Sequence, residues 1–331
     1  MAINNKTTRW LGLWRGRLWW LVAIPVLLLA AYVGGARQLM LLVPDYREQL
    51  ETLVEERFGV AIQIEQLQGS MDGLWPRFQL RGLTLPATEG ESPLTLERVE
   101  LSVRVLPTLL YRKPYLRELL IDGVDVHLVR DEQGRIRLRG LEALQRQRQE
   151  TALEDALRTL YHQQRIVIQN ARFSLDWPGL PPLAASSLNL ALLNDGDEHA
   201  LSVRVQARDR PFSVDARLRV EGEPLALEQV NADGYLDVHG ERLQEWLPTQ
   251  RQWPLDVARL DGRVRLWTRI QQGRPSDATV SLASPNIELT DGEQRWPVND
   301  VKLDAAVHGL AGNGERQLSL TTLTGTTPAG A

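Results

Sequence analysis

The sequence of 331 residues contains no cysteine, which excludes disulfides, thiolate metal sites and cysteine nucleophiles. Lysine is nearly absent, with only Lys6, Lys113 and Lys302, and the many arginines are scattered. The net charge is −4 and charges of both signs are spread along the chain, so nothing indicates a nucleic-acid-binding surface and we predict no nucleic-acid partner. A composition of 43% hydrophobic and 24% charged residues is typical of a folded chain.

Motifs that carry chemistry are also missing. There is no G-x-S-x-G elbow and no lysine-containing phosphate loop, and the glycine-rich stretch Gly309–Gly314 is interpreted as a plain loop. Asp122 and Asp125 flank a turn, which is too common to indicate a catalytic dyad. No two histidines have the i, i+4 spacing of a helical metal site; they are His127, His162, His199, His239 and His308. We therefore predict no catalytic residue, no metal site, no cofactor and no enzymatic activity.

One long apolar run is present, from Leu18 to Ala36, and it contains no charged residue. Its 19 residues would form a helix of about 28 Å, close to the ~30 Å hydrocarbon core of a bilayer. Trp19, Trp20 and Tyr32 lie near its two ends, where aromatic rings prefer the headgroup level. We predict a transmembrane helix over residues 18–36.

The flanking charges predict the direction of insertion. Four basic residues precede the apolar run and only Arg37 follows it closely; the four are Lys6, Arg9, Arg15 and Arg17. The positive-inside rule then keeps residues 1–17 in the cytoplasm and sends the rest across the inner membrane. A cleaved signal peptide is the alternative, since Gly34 and Ala36 resemble a cleavage site. The apolar run is longer than the roughly 7–15 residues of a signal peptide, which favours an uncleaved anchor.

A short amphipathic helix is predicted next, over residues 44–59. Pro44 precedes it, Asp45 and Glu48 have the spacing of a capping box, and Gly59 is placed to end it. Its apolar positions fall on one face, which would lie on an apolar surface as a lid or pack on the core; they are Tyr46, Leu50, Leu53, Val54 and Phe58.

Beyond residue 60 the apolar period changes from 3.6 to 2, which predicts half-buried strands in an antiparallel sheet. The first β segment is predicted over residues 60–140 and the second over 165–324. A polar helix is predicted between them at 141–164, and a flexible tail at 325–331 suggests a truncation point. Asp131–Gly134 and Asn194–Asp197 are predicted hairpin turns.

Two stretches of the chain resemble the N-terminal part of the YhdP family of AsmA-like proteins. The first, Pro44–Leu85, has a helix, a short strand and a Gly-x-x-x-Gly-Leu-x-Pro element at Gly69–Pro76. The second, Leu94–Leu141, has a strand, a Leu-Leu-x-x-x-Pro turn, another strand and a hairpin with an acidic glycine loop.

The resemblance implies an inner-membrane anchor followed by a long twisted sheet that curls into an open groove across the periplasm. Such proteins are similar to bridge-like lipid-transfer proteins and are implicated in phospholipid movement to the outer membrane. The expected partners are phospholipid acyl chains, the inner membrane and an outer-membrane or envelope protein. Family members are longer than this chain. The expected groove-lining residues are Leu101, Val103, Val105, Val203, Val205, Val214, Ala216 and Leu218. The amphipathic helix at 44–59 would then lie where lipid enters from the membrane.

Alternation alone does not separate two uses of an apolar strand face. In an ordinary sandwich the face packs against a second sheet, whereas in a groove it packs against acyl chains. A non-catalytic periplasmic scaffold or assembly factor therefore stays open beside lipid conduction. An enzyme acting on envelope lipid or glycan has no motif that supports it.

Overall fold

A computed structural model describes residues 7–58, 61–85, 93–112, 115–130, 136–139, 163–176, 182–222, 228–246, 255–309 and 316–327. Two helices come first, α1 at Thr7–Met40 and α2 at Arg47–Phe58, with a 3-10 turn at Val43–Tyr46 between them. A third helix, α3, and a second 3-10 turn, Leu243–Trp246, interrupt the strands that follow. The remaining elements are β1 Gln63–Asp72, β2 Trp75–Leu85, β3 Leu94–Val103, α3 Val105–Tyr111, β4 Leu116–Arg130, β5 Ile136–Arg139, β6 Arg165–Asp176, β7 Leu183–Asp195, β8 Glu198–Ala207, β9 Phe212–Glu221, β10 Asn231–Gly240, β11 Asp256–Gln271, β12 Arg274–Thr290, β13 Arg295–His308 and β14 Gln317–Thr326.

Helix α1 contains the predicted apolar segment and continues past its predicted end at Ala36. Within the described residues one helix is long and apolar enough to cross a membrane, at Trp19–Met40, with a mean hydropathy of 1.9. None of that segment is buried against the rest of the protein. An apolar helix of this length with no buried residue is suited to a lipid environment. The predicted N-terminal apolar helix is therefore confirmed.

All strands form one open sheet, in the order β1-β2-β3-β4-β6-β7-β8-β9-β10-β11-β12-β13-β14, with β5 paired to β4 outside this path. Chain neighbours are therefore nearly always sheet neighbours, and the sheet does not close into a barrel. The predicted mainly-β architecture is confirmed, as are the antiparallel pairing of β4 with β5 and the β7–β8 hairpin, whereas the predicted turn at 131–134 lies outside the described residues.

One strand pair departs from the predicted antiparallel arrangement: β4 and β6 are parallel. Parallel neighbours need a connection of a dozen or more residues, and the segment between Arg130 and Arg165 has that length. The helix predicted at 141–164 falls in this connection, and residues 140–162 lie outside the described residues. At the other end of the chain, β14 reaches Thr326, two residues into the predicted tail.

The first turn of the predicted amphipathic helix has a different conformation. Asp45 and Tyr46 belong to the 3-10 turn, and α2 begins at Arg47, so the predicted capping box is not at the helix start. The helix is attached to β1, because the Ile64 N–H donates to the Glu51 carboxylate at 2.7 Å.

A close approach joins the end of the anchor to the same strand. A Cβ at Gly69 would lie 2.7 Å from Val43 Cγ2 and 2.9 Å from the Met40 carbonyl oxygen, so a residue without a side chain is needed there.

A line of bends crosses the first strands of the sheet. In each of five strands, two apolar residues lie three positions apart and belong to the same hydrophobic cluster. Strict alternation along a strand would place two such residues on opposite faces of the sheet. Residues with positive φ lie between them in three of these strands: Gly82, Gly123 and Asn170. Each bend therefore keeps the apolar residues on one face of the sheet. The pairs are Ile64/Leu67, Leu80/Leu83, Leu96/Val99, Ile121/Val124 and Ile168/Ala171.

A second bend crosses β11 to β13. Asp261 pairs with Asn286 and Arg263 with Ala283, so β12 has one extra residue opposite Gly262. Leu282 and Ile287, an odd number of residues apart, therefore both reach the same side of the sheet.

Candidate functional site

The apolar side chains of the strands collect on one side of the sheet, which we call the apolar face. Its first cluster spans β1 to β7 and is centred on buried side chains from neighbouring strands. They are Ile64, Leu67, Leu80, Leu96, Val99, Val124 and Ala171. A shift of one residue in the pairing of two strands would move the side chains of one strand to the other face of the sheet. The cluster therefore forms only when the strands pair in the observed register.

A second cluster continues the apolar face from β6 to β12. Its buried members are Leu183, Ala185, Val205, Ala207, Phe212, Leu243 and Leu260. Leu188 on β7 packs against both clusters and makes the face continuous. A smaller third cluster on β9–β11 contains Val220, Val230 and Ala232, with Leu218 and Ile270 packed against it.

Small elements cover the two outer parts of this face. Val43 and Leu50 pack against the first cluster, and Leu243 and Trp246 from the second 3-10 turn pack against the second cluster. Phe212 and Trp246 stack with ring centroids 5.3 Å apart. Among the described residues, no large side chain is less than 2% exposed. A sandwich core would bury such side chains completely, so the face is held by neighbouring strands within the sheet rather than by a second layer.

Seven of the eight predicted groove-lining residues lie on strands, and five of these seven belong to or pack against the three clusters. Leu101 packs on the first cluster, Val203 and Val214 pack on the second, and Leu218 packs on the third. Val205 is itself a buried member of the second cluster, 9% exposed. Val103 and Ala216 are half-buried strand residues, and Ala216 is the register partner of Val203.

Val105 is the exception. The alternation from Val99 through Val103 predicts that it continues the strand, but Val105 is the first residue of α3. That prediction is wrong because Pro107, which is tolerated in the first turn of a helix, and the adjacent Leu109 and Leu110 end the period of two.

The predicted entry-helix residues separate into two groups. Leu50 packs against the first cluster and Val54 is half-buried. Tyr46 and Leu53 are more than half exposed, at 53% and 54%. The side chain of Phe58 lies outside the described ones. Helix α2 therefore presents apolar side chains both to the sheet and to the surroundings.

The opposite side of the sheet, which we call the polar face, carries cross-strand ion pairs. Asp237 accepts hydrogen bonds from the Arg263 guanidinium at 2.5 Å, and Asp215 lies 3.1 Å from both Arg204 and Arg217. The arginines remain more than half exposed, so this side faces water.

These pairs lower the pKa of the carboxyl groups. The hydrogen bond from Arg263 holds the pKa of Asp237 below its usual value although partial burial opposes it. Arg217 has the same effect on the pKa of Asp215. Fixed charges of opposite sign on directly facing strands stabilise the observed register and oppose its slippage.

The acidic pair that the sequence left open is not a dyad. Asp122 accepts hydrogen bonds from Arg98 and Asn170, each at 2.8 Å, and Asp125 pairs separately with Arg172. The Asn170 hydrogen bond is the main cause that lowers the pKa of Asp122. Each carboxylate is thus neutralised by its own partner. No group of three or more potential metal ligands occurs in the described part of the chain.

A cavity of about 1550 Å³ lies at the end of β10 and β11, beside Ala232 and Ile270 of the third cluster. Its walls carry Arg219, Asp233, Arg269 and Arg274, so it is charged and does not suit an acyl chain. The apolar face, by contrast, is an extended apolar surface to which most of the described strands contribute.

Comparison with known proteins gives a family match over nearly the whole chain. The sequence model described as YhdP protein matches residues 1–316. The matched region begins before α1 and ends one residue before β14. No curated protein and no solved structure matches the chain.

Proposed function

The chain belongs to the YhdP family, and from this premise we propose that it conducts phospholipid between the inner and outer membranes along the apolar face of its sheet. In this function acyl chains lie across the strands against the apolar face, and headgroups stay in water at its open margin. The protein performs no reaction. It lowers the cost of moving an acyl chain through water, which is about 0.8 kcal/mol for each CH₂ group.

Single-pass anchoring in the inner membrane is part of the proposal. The apolar helix Trp19–Met40 supports an anchor, and four basic residues before it support a cytoplasmic N-terminus by the positive-inside rule. The sheet would then lie in the periplasm, where an outer-membrane or envelope protein can receive its far end.

The continuity of the apolar face is the observation that carries the proposal. The first and second clusters share Leu188, so apolar contacts run from β1 to β12. At a strand spacing of ~4.8 Å this is a path of roughly 50 Å along the sheet. Helix α2 lies at the β1 end, next to the anchor, where the proposal has lipid enter.

A photo-crosslinking residue at Val203 tests the proposal, with Arg204 as the matched control. The two positions are adjacent on β8, but Val203 is on the apolar face and Arg204 is an exposed residue of the polar face. Val203 is preferable to Val205 because it is half-buried rather than buried. After irradiation of cells, we expect covalently attached phospholipid at Val203 and none at Arg204.

Two other outcomes would overturn lipid conduction. Crosslinks from Val203 only to other parts of the same chain would mean a closed protein core. Crosslinks from Val203 to one defined envelope protein, without lipid, would mean that the face is a docking surface and would favour a scaffold or assembly factor.

A further inference from the structure

Helix α3 carries a concentrated set of exposed apolar side chains. Leu106, Leu109 and Leu110 are 78%, 70% and 74% exposed, and Tyr111 is 60% exposed. The spacing of three and four places the three leucines on one side of the helix. An exposed group of this kind on a seven-residue helix marks an interaction surface.

The strand register places α3 beside the membrane anchor. Ser102, just before α3, pairs with Arg77 near the start of β2. Arg117, just after α3, lies with its guanidinium carbon 5.6 Å from the centre of the Trp75 ring. Helix α3 is therefore next to the β1–β2 turn at residues 73–74.

The β1–β2 turn in turn contacts α1 inside the apolar segment. The Tyr32 hydroxyl donates to the Leu74 carbonyl oxygen at 3.1 Å. Tyr32 lies eight residues before Met40, which is about 12 Å along a helix axis. The turn therefore runs back beside the segment that would cross the membrane, and its own Leu74 is 42% exposed.

We propose that α3 and the β1–β2 turn lie in the interfacial layer of the bilayer that α1 crosses, with the α3 leucines among the acyl chains. Interfacial helices bury their apolar side to a depth of ~5–10 Å, within the 12 Å by which the turn reaches back from the end of α1. A lipid occupant explains the exposed leucines without another protein, because Tyr32 already fixes this edge at membrane depth.

The charged residues around α3 are also consistent with binding to a lipid bilayer. Arg104, Arg112 and Arg117 are exposed and flank the leucines. Arginines at this position can extend to lipid phosphates while the apolar side chains enter the acyl region. Tyr111, with its ring 5.5 Å from that of Tyr115, has the amphipathic character that suits the headgroup level.

This inference rests on α1 crossing a membrane and does not depend on lipid conduction. Its consequence is that the protein is attached at two points, the crossing helix and the interfacial edge. The strand end that contains Leu101 and Val103 then opens at the bilayer surface instead of being held away from it by a linker.

The absence of cysteine makes the test direct, because an introduced cysteine is the only one in the chain. The full chain with Leu109→Cys is labelled with the environment-sensitive dye NBD and placed in nanodiscs of phosphatidylethanolamine and phosphatidylglycerol. The control is Arg274→Cys, an exposed position at the start of β12 on the same edge of the sheet, seven strand spacings from β4 or roughly 34 Å further along. Leu110→Cys serves as a second position.

We expect blue-shifted emission at positions 109 and 110, and quenching by nitroxide-labelled acyl chains at least threefold stronger than at position 274. Equal quenching at all three positions would overturn the proposal. Blue-shifted emission without nitroxide quenching would also overturn it, because another protein or a second copy of the chain would then cover the leucines. Both results leave lipid attachment at Val203 unaffected, so the two proposals fail separately.

Discussion

The two faces of the sheet are built by the same strands and are stabilised differently. On the apolar face, Val203 and Val214 lie on adjacent strands, pack against the second cluster and stay half-buried. On the polar face, their sequence neighbours Arg204 and Asp215 form an ion pair at 3.1 Å. Both faces stabilise the sheet through contacts within its plane, so neither needs a second layer. The apolar face is therefore free to bind another apolar partner.

The largest expected loss of stability comes from a substitution at the bend between β11 and β12, which would disturb both faces of the sheet. A Cβ at Gly262 would lie 2.3 Å from the Ala283 carbonyl oxygen and 2.8 Å from Ser284 Cα, and backbone atoms cannot move aside easily. We expect Gly262→Ala to lower the free energy of unfolding by about 3 kcal/mol. Urea unfolding in detergent, followed by circular dichroism, measures this loss.

Gly292→Ala is the matched control for the bend. Gly292 also has a positive φ, of 100°, but no atom lies within 4 Å of a Cβ built there. Gly292→Ala therefore strains the backbone without bringing the new Cβ against other atoms. We expect it to lower the free energy of unfolding by about 1 kcal/mol. Equal losses at both positions would mean that the close approach of β11 and β12 is unimportant.

The next prediction compares the same substitution on the apolar face and on the polar face at two adjacent residues of β8. Val203→Asp places a carboxylate on the apolar face, where it has no cation partner in its register, and we expect about 2 kcal/mol of destabilisation and loss of bound lipid. Ser202→Asp introduces the same charge one residue earlier, opposite Arg217 on the polar face. We expect this control to keep its stability and its lipid. Mass spectrometry of lipid that co-purifies with each variant is the measurement, and equal lipid in both would contradict the assignment of the faces.

The sequence predicts the faces well because a period of two depends only on strand geometry. The alternating runs of β8, β9 and β13 are all strands, and the turn residues Asn194–Asp197 fall at the β7–β8 hairpin. The parallel β4–β6 pair goes against this pattern, because alternation with one polar face favours antiparallel neighbours, and only the long connection between Arg130 and Arg165 allows a parallel pair.

The bends were visible in the sequence as a broken period. Leu96 and Val99 are three residues apart, and so are Ile64 and Leu67, with Gly or a charged residue between such pairs in several strands. The same spacing also fits a helix, so a single instance carries little information, and only its repetition in consecutive strands indicates a line of bends. The exposure of the α3 leucines, by contrast, depends on the position of α1 and could not be read from spacing.

A smaller effect tests the role of α2 beside the apolar face. Leu50→Ser removes a side chain that packs on the first cluster, and we expect about 1–2 kcal/mol of destabilisation. Leu53→Ser changes a side chain that is 54% exposed, and we expect less than 0.5 kcal/mol. If lipid enters at α2, Leu53→Ser still slows transfer of a fluorescent phospholipid from donor vesicles to the protein. An unchanged transfer rate in this variant would exclude an entry role for the exposed side of α2.

The smallest expected change in the free energy of unfolding comes from an ion pair on the polar face, and it depends on pH. The folded state lowers the pKa of Asp237, so its contribution to stability is complete above the unfolded pKa, near 3.9, and is lost as the pH falls through the folded value. We expect Asp237→Asn to cost about 1 kcal/mol at pH 7 and pH 5, and much less at pH 3. Asp233→Asn is the control, since the Asp233–Arg269 pair is more than half exposed on both sides and should contribute almost nothing. Urea unfolding at the three pH values measures the difference. A cost for Asp237→Asn that persists at pH 3 would mean that the side chain stabilises β10 through its hydrogen bonds alone, and the charge on the polar face would then have no part in keeping the strands in register.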